Sequence, residues 1–107
     1  MELDEALKVL ANPTRRAVLT WLGKPEEAFR DYTQLYPYDV HGVCASLIQE
    51  KAGLSQPATS LSLKALQDLG FIQATKVGKW TYYKRNESIL ADVLKRLLVD
   101  LGERDNH

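Results

Sequence analysis

Leu3, Ala6, Leu7 and Leu10 recur at helical spacing and predict a short helix over residues 3–11. Asn12-Pro13 opens a second helix: Asn12 caps it, and Pro13 suits the first helical position, where a missing N–H costs nothing. Ala17, Val18, Trp21 and Leu22 form its inner face, Arg15 and Arg16 lie outside it, and Gly23 then Pro25 end it. Val43, Leu47 and Ile48 predict a third helix from Val43 to Ala52, stopped by Gly53. A tight turn at Leu54-Ser55 leads to a fourth, from about Gln56 to Leu69, with Thr59, Leu63, Leu66 and Leu69 inward. From Phe71 the pattern turns strand-like. Phe71 to Val77 and Trp80 to Lys84 are rich in β-branched and aromatic residues, and Gly78-Lys79 between them reads as a hairpin turn. Asn86 caps a last helix, on which Ile89, Leu90, Val93, Leu94, Leu97, Leu98 and Leu101 make a broad apolar stripe.

Residues 24–42 fit no period. Pro25, Pro37 and Gly42 punctuate them, residues 25–32 suit a helical turn, and Phe29, Tyr32, Leu35, Tyr36 and Tyr38 crowd the segment. So much aromatic surface predicts packing on the body or on a partner. The order is helix, helix, helix, helix, hairpin, helix, with no repeats or low-complexity tracts. It predicts one mainly α domain over residues 1–107 with a small β-hairpin: a winged helix-turn-helix carrying extra helices at both ends.

The fourth helix is an odd one. Its first turns hold Ser55, Gln56, Thr59, Ser60 and Ser62, which are middling or poor helix formers, and Leu61 points off the apolar stripe. A face that reads DNA explains both. Gln56 suits adenine, the serines suit base edges or phosphates, and Leu61 suits a thymine methyl. Charge sharpens this picture. The chain is neutral, with 14 Lys and Arg against 14 Asp and Glu. Yet residues 54–85 hold Lys64, Lys76, Lys79, Lys84 and Arg85 against Asp68 alone, while residues 25–50 hold Glu26, Glu27, Asp31, Asp39 and Glu50 against Arg30. A basic segment in a neutral chain is what a local polyanion-binding surface looks like.

Three stretches resemble the ArsR/SmtB-type transcriptional repressors. Ala6 to Leu19, with its Ala-Asn-Pro-Thr-Arg-Arg centre, is similar to their N-terminal signature. Gly53-Leu-Ser-Gln-Pro-Ala-Thr-Ser-Leu-Ser-Leu-Lys-Ala-Leu66 is similar to their helix-turn-recognition-helix, and Gly70-Phe-Ile through Val77-Gly-Lys-Trp-Thr-Tyr-Tyr83 to their wing. The resemblance covers residues 6–22 and 43–85, and residues 24–42 are longer than the family's usual link. It implies a cytoplasmic homodimeric repressor on a palindromic double-stranded DNA operator. The implied DNA-contacting set is Ser55, Gln56, Pro57, Thr59, Ser60, Leu61, Ser62, Lys64, Lys76, Lys79, Lys84 and Arg85. The implied dimer surface is Leu3, Leu7 and Leu10 with Leu90, Val93, Leu94, Leu97, Leu98 and Leu101. Where the family often has two histidines, this chain has Leu61 and Ser62, so its operator is expected to differ.

The sensing function is open at this point. One family metal site needs a Cys-X-Cys pair, and those positions are Cys44 and Ser46; soft metals need two or three thiolates. A second site uses Asp and His on the last helix, which offers Asp92 and Asp100 and no His before His107. No metal and no cofactor are therefore expected. His41 lies three residues before Cys44, close enough to share a helix face if that helix starts early. Cys44 remains a candidate thiol sensor, without a resolving cysteine in the chain. Trp21, Phe29, Tyr32, Tyr36 and Tyr38 remain candidates for the lining of a pocket for a small apolar or aromatic inducer. Control without any ligand is the further option.

Other classes find less support. There is no Ser-His-Asp set and no phosphate-binding glycine loop, and two histidines leave little for acid–base chemistry, so no enzyme is expected. A winged helix used as a protein-interaction module has no need of a basic wing and a polar fourth helix. No apolar run approaches the ~18 residues that span a bilayer, no secretory signal opens the chain, and a single cysteine fits a reducing compartment.

Overall fold

The computed structural model describes residues 1–102; residues 103–107, including His107, lie outside the described part. Seven helices and three strands follow one another among these residues. They are α1 (Leu3–Leu10), α2 (Pro13–Gly23), α3 (Pro25–Ala28), α4 (Tyr38–His41), β1 (Val43–Cys44), α5 (Ala45–Ala52), α6 (Gln56–Asp68), β2 (Ile72–Val77), β3 (Trp80–Arg85) and α7 (Glu87–Asp100). The expected helices and hairpin are all present, and the architecture is mainly helical with a three-stranded antiparallel sheet.

The helix ends follow local chemistry. Asn12 Oδ1 accepts from Thr14 N at 2.9 Å and Arg15 N at 3.1 Å, and Asn86 Oδ1 accepts from Ile89 N at 3.3 Å. Each cap satisfies donors that the first helical turn leaves without intrahelical partners. Val18, Leu19 and Leu22 of α2 meet Leu47, Ile48, Leu63, Leu66, Phe71, Ile72 and Tyr82 in one buried core. Leu19 joins Val18 and Leu22 on the inner face of α2, Trp21 packs half-buried against the same core, and Ala17 is half-buried at its edge.

The third helix starts later than its apolar spacing suggests. Val43 and Cys44 are a strand, paired antiparallel with Tyr83 and Tyr82, so the sheet order is β1-β3-β2. Gly42 makes this possible. It sits at φ 97°, and a Cβ there would fall 2.1 Å from the Tyr83 carbonyl oxygen. The chain therefore breaks at Gly42 instead of running helically from α4 into α5. His41 and Cys44 consequently share no helix face: His41 closes α4, and Cys44 is the buried N-cap residue of α5.

The aromatic segment packs on the body. Phe29 is fully buried, with ring contacts to Trp21 at 6.2 Å, Tyr32 at 5.5 Å and Tyr38 at 6.1 Å. Lys51 lays its ammonium over the Trp21, Phe29 and Tyr32 rings at 5.3, 5.8 and 5.9 Å. Tyr36 and His41 lie against Tyr82 of β3 at 5.9 and 5.7 Å. Gln34 joins this cover to β1. Its Nε2 donates to the Tyr36 and Gly42 carbonyls, and its Oε1 accepts from Cys44 N, all at 2.9 Å. The rings proposed for an inducer pocket thus largely cover one another and the sheet.

Two glycine substitutions separate close approach from conformation alone. Gly42→Ala combines a positive φ with backbone overlap and is expected to cost more than about 2 kcal/mol. Gly53→Ala, at φ 66° with open space around it, is expected to cost about 1 kcal/mol. Urea unfolding of the two variants checks the order, and equal costs would contradict it.

Candidate nucleic-acid interface

α5 and α6 form the helix-turn-helix, and the turn between them is short because Gly53 takes the left-handed conformation. Its N–H reaches back to the Gln49 and Glu50 carbonyls at 3.0 and 3.2 Å, which ends α5 cleanly. Ser55 then caps α6: its Oγ accepts from Ala58 N at 3.2 Å. Its carbonyl accepts from Thr59 N at 3.0 Å and from Thr59 Oγ1 at 2.9 Å.

These bonds sort the expected DNA-contacting residues of α6. Gln56, Pro57, Ser60, Leu61 and Lys64 are exposed along one side, and Leu61 keeps 69% of its surface in water. Ser62 is half-buried. Thr59 is buried, its hydroxyl spent on the helix's own first turn, so it belongs to the inner face and not to the outer set. Thr59, Leu63 and Leu66 anchor α6 on the core while the opposite side carries no large burial. Lys64 is 3.3 Å from Asp68, an exposed pair one turn apart that leaves its ammonium available.

The hairpin divides in the same way. Gly78 has φ 61° and Lys79 does not share a positive φ, the pattern of a type II′ turn with glycine first. Lys76 and Lys79 are exposed, Lys79 with its ammonium 5.4 Å from the Trp80 ring. Lys84 is also exposed but donates to the Asp39 carbonyl at 2.8 Å, which ties it to the aromatic segment. Arg85 departs furthest from the expected set. Its Nε and Nη2 each lie 2.8 Å from a Glu87 carboxylate oxygen, and Nη1 donates to the Leu19 carbonyl at 3.1 Å. Gly23 leaves room for the guanidinium, which would sit 2.5–2.8 Å from any Cβ there. Arg85 therefore joins the end of β3 to α2 and to the start of α7, a role that its place in the basic segment hid. The hydrogen bonds and charge of Arg85 hold the Glu87 carboxyl below its usual range, against a smaller opposing effect of burial.

On α7, Val93 packs into the protomer's own core, which removes it from the surface open to a partner. Leu94, Leu98 and Leu101 remain 60%, 52% and 72% exposed, while Leu90 and Leu97 are half-buried. α1 packs on α7 with Leu3, Leu7 and Leu10 half-buried, and Arg96 Nη1 donates to the Met1 carbonyl at 2.8 Å. Cys44 Sγ lies 3.2 Å from Ser46 Oγ and is buried. Among the described residues no three His, Cys, Asp or Glu side chains come together to hold a metal ion. None of the described helices is long and apolar enough to cross a membrane.

A capped helix with one open polar side, behind a tight turn and beside a basic hairpin, defines the winged helix-turn-helix class of DNA-binding transcription regulators. No protein-family model matches the chain. An uncharacterized helix-turn-helix transcriptional regulator of Bacillus subtilis, YbzH, is 39% identical over 98 residues, covering 89% of this chain and 97% of that protein. A Halobacterium salinarum protein, provisionally named the arsenical resistance operon repressor ArsR2, is 29% identical over 96% of this chain and 71% of its own length. An ArsR-like transcriptional regulator from Rhodococcus superposes with a TM-score of 0.65 at 25% identity, over 94% of this chain and 78% of that one. A Mycobacterium bovis domain, Mb0332, described as a homodimeric winged helix-turn-helix, superposes with a TM-score of 0.59 at 22% identity, over 98% and 87%. The chain belongs to the ArsR family of DNA-binding transcriptional regulators, a family of regulators and not of enzymes.

The Arg85–Glu87 pair has a pH signature. A carboxylate with a lowered folded pKa adds stability that is complete above the unfolded value, near 4.5, and that fades as pH falls through the folded value. Glu87→Gln is expected to be less stable than the parent by a constant margin above about pH 5, narrowing below it. Urea midpoints from pH 3 to 7 read this, and a margin independent of pH would contradict it.

Proposed function

We propose that the chain is a repressor that binds a two-fold symmetric DNA operator as a homodimer and is not released by metal ions. The observation that carries the reading is the division of α6. Thr59, Leu63 and Leu66 are buried, and Gln56, Pro57, Ser60, Leu61 and Lys64 stand open beside Lys76 and Lys79. In this arrangement α6 enters the major groove, where the Gln56 amide pairs with adenine and Leu61 meets a thymine methyl. The lysines neutralise phosphates, and Ser55 supports the helix start nearest the backbone. Leu94, Leu98 and Leu101, with α1 beside them, supply the contact surface for the second copy; a two-fold axis there sets two α6 helices against successive grooves.

The donor chemistry argues against metal control. At the start of α5 a single thiol, Cys44, lies against a hydroxyl, Ser46, and α7 carries Asp92 and Asp100. The His41 ring is packed against Tyr36 and Tyr82. Burial of Cys44 likewise argues against a readily oxidised thiol sensor. A protein-interaction module gains nothing from the open polar side of α6.

Mobility shifts on an operator selected from random duplexes test the DNA surface. Gln56→Ala is expected to lose about 1–3 kcal/mol of discrimination at one base pair. Lys79→Ala is expected to weaken all sequences alike and to lower the salt slope by about one. Operator binding unchanged in both variants would place the surface elsewhere, and no shift with any duplex would favour the interaction module. Leu98→Glu alters an exposed side chain, so the fold is expected to persist while sedimentation shows a monomer. A persisting dimer would move the interface away from α7.

A further inference from the structure

Trp80 opens β3 directly after the Gly78-Lys79 turn and keeps 45% of its surface in water. It shares a sheet face with Tyr82, two residues on. Tyr82 is covered by Tyr36 and His41, but the cover thins at Leu35, itself 76% exposed, so the Trp80 end of this face is only partly covered. Among the described residues the indole N–H has no hydrogen-bond partner, and the ring's one polar contact is the Lys79 ammonium at 5.4 Å. A tryptophan exposed over nearly half its surface at a hairpin tip leaves a sizeable apolar area in water that the described fold does not cover.

The geometry points to Trp80 as a DNA-contacting residue that contributes affinity by packing its indole on the sugar–phosphate wall and base edges of the operator beside the Lys79 contact. This rests on the DNA-binding reading above. Two observations favour DNA as the occupant. The hairpin from Ile72 to Arg85 contains no carboxylate, and Lys76 and Lys79 stand exposed toward its tip, so the tip suits a polyanion. The cleft rimmed by Leu35, Ser46 and Trp80 measures ≈ 220 Å³, below the roughly 300–1,000 Å³ of small-molecule sites. An aromatic face meets sugars and bases of any sequence, and the indole N–H adds one donor that a phosphate or groove acceptor satisfies. The contribution is apolar, so it is separable from counterion release by Lys79.

The chain has two tryptophans, so Trp21→Phe leaves Trp80 as the sole tryptophan emitter, read with excitation to the red of tyrosine absorption. In that variant, adding the selected operator duplex is expected to change Trp80 emission and to reduce its quenching by acrylamide about twofold or more. Trp80→Ala is expected to bind the operator about tenfold more weakly, with an unchanged salt slope and unchanged thermal unfolding, and Trp80→Phe to retain most of the affinity. A duplex that shifts in gels while Trp80 stays equally open to acrylamide, or a Trp80→Ala variant with parental affinity, would overturn the proposal and leave the DNA reading standing. If the parent protein shifts no duplex at all, the DNA reading itself fails and this proposal with it. If Trp80→Ala does not fold, the Trp21→Phe reporter decides.

Discussion

Two residues of backbone pairing fix how the helix-turn-helix sits against its wing. Val43 and Cys44 pair with Tyr83 and Tyr82, and Cys44 is also the N-cap residue of α5. The strand edge and the helix start are therefore one continuous piece of chain. α5 sets α6 through the Gly53 turn, and β3 sets the hairpin tip, so both elements of the proposed DNA surface are referenced to the same two residues. Gly42 permits the approach, and Gln34 holds the covering segment to it from the other side. Arg85 makes a second tie at the far end of β3, to α2 and to Glu87 of α7. In the dimeric reading, that tie links the wing strand to the helix that carries the partner.

The molecule leaves two large surfaces underused, and they differ in kind. The open side of α6 is small, polar and backed by Thr59, Leu63 and Leu66. Its low helix propensity is offset by tertiary anchoring, as is usual for helices whose stability comes from packing. The open side of α7 is apolar, at Leu94, Leu98 and Leu101. Water tolerates the first at no cost and the second only at some cost, which is the contrast expected between the proposed groove-reading surface and the proposed contact surface for a second copy.

Much of this was legible in the residues. Helical spacing located α1, α2, α6 and α7; Asn12 and Asn86 marked the starts of α2 and α7 by capping, and Gly53 and Gly78 marked the end of α5 and the hairpin turn by backbone conformation. β1 was not legible, because two residues carry no period, and Val43 fits the inner face of a helix as well as a strand. Gly42 was the available signal, since a glycine before an apolar pair often marks a close backbone approach. Charge counting placed Arg85 and Lys84 with the wing cations, but side-chain reach took them to Glu87, Leu19 and Asp39. Thr59 shows the same limit: its spacing pointed inward and its residue type outward, and the hydroxyl bond to Ser55 decided for burial. Trp80 read as a strand former, and only its exposure at the end of an incomplete cover singles it out.

The central claim is that two copies of α6 read one symmetric site. Repeated selection of bound duplexes from a fully random pool tests it most directly. The account predicts enrichment of a single inverted repeat whose half-sites are centred about one helical turn, roughly 10 base pairs, or a multiple of it apart. Enrichment of an unrepeated sequence, or no enrichment at all, would contradict it.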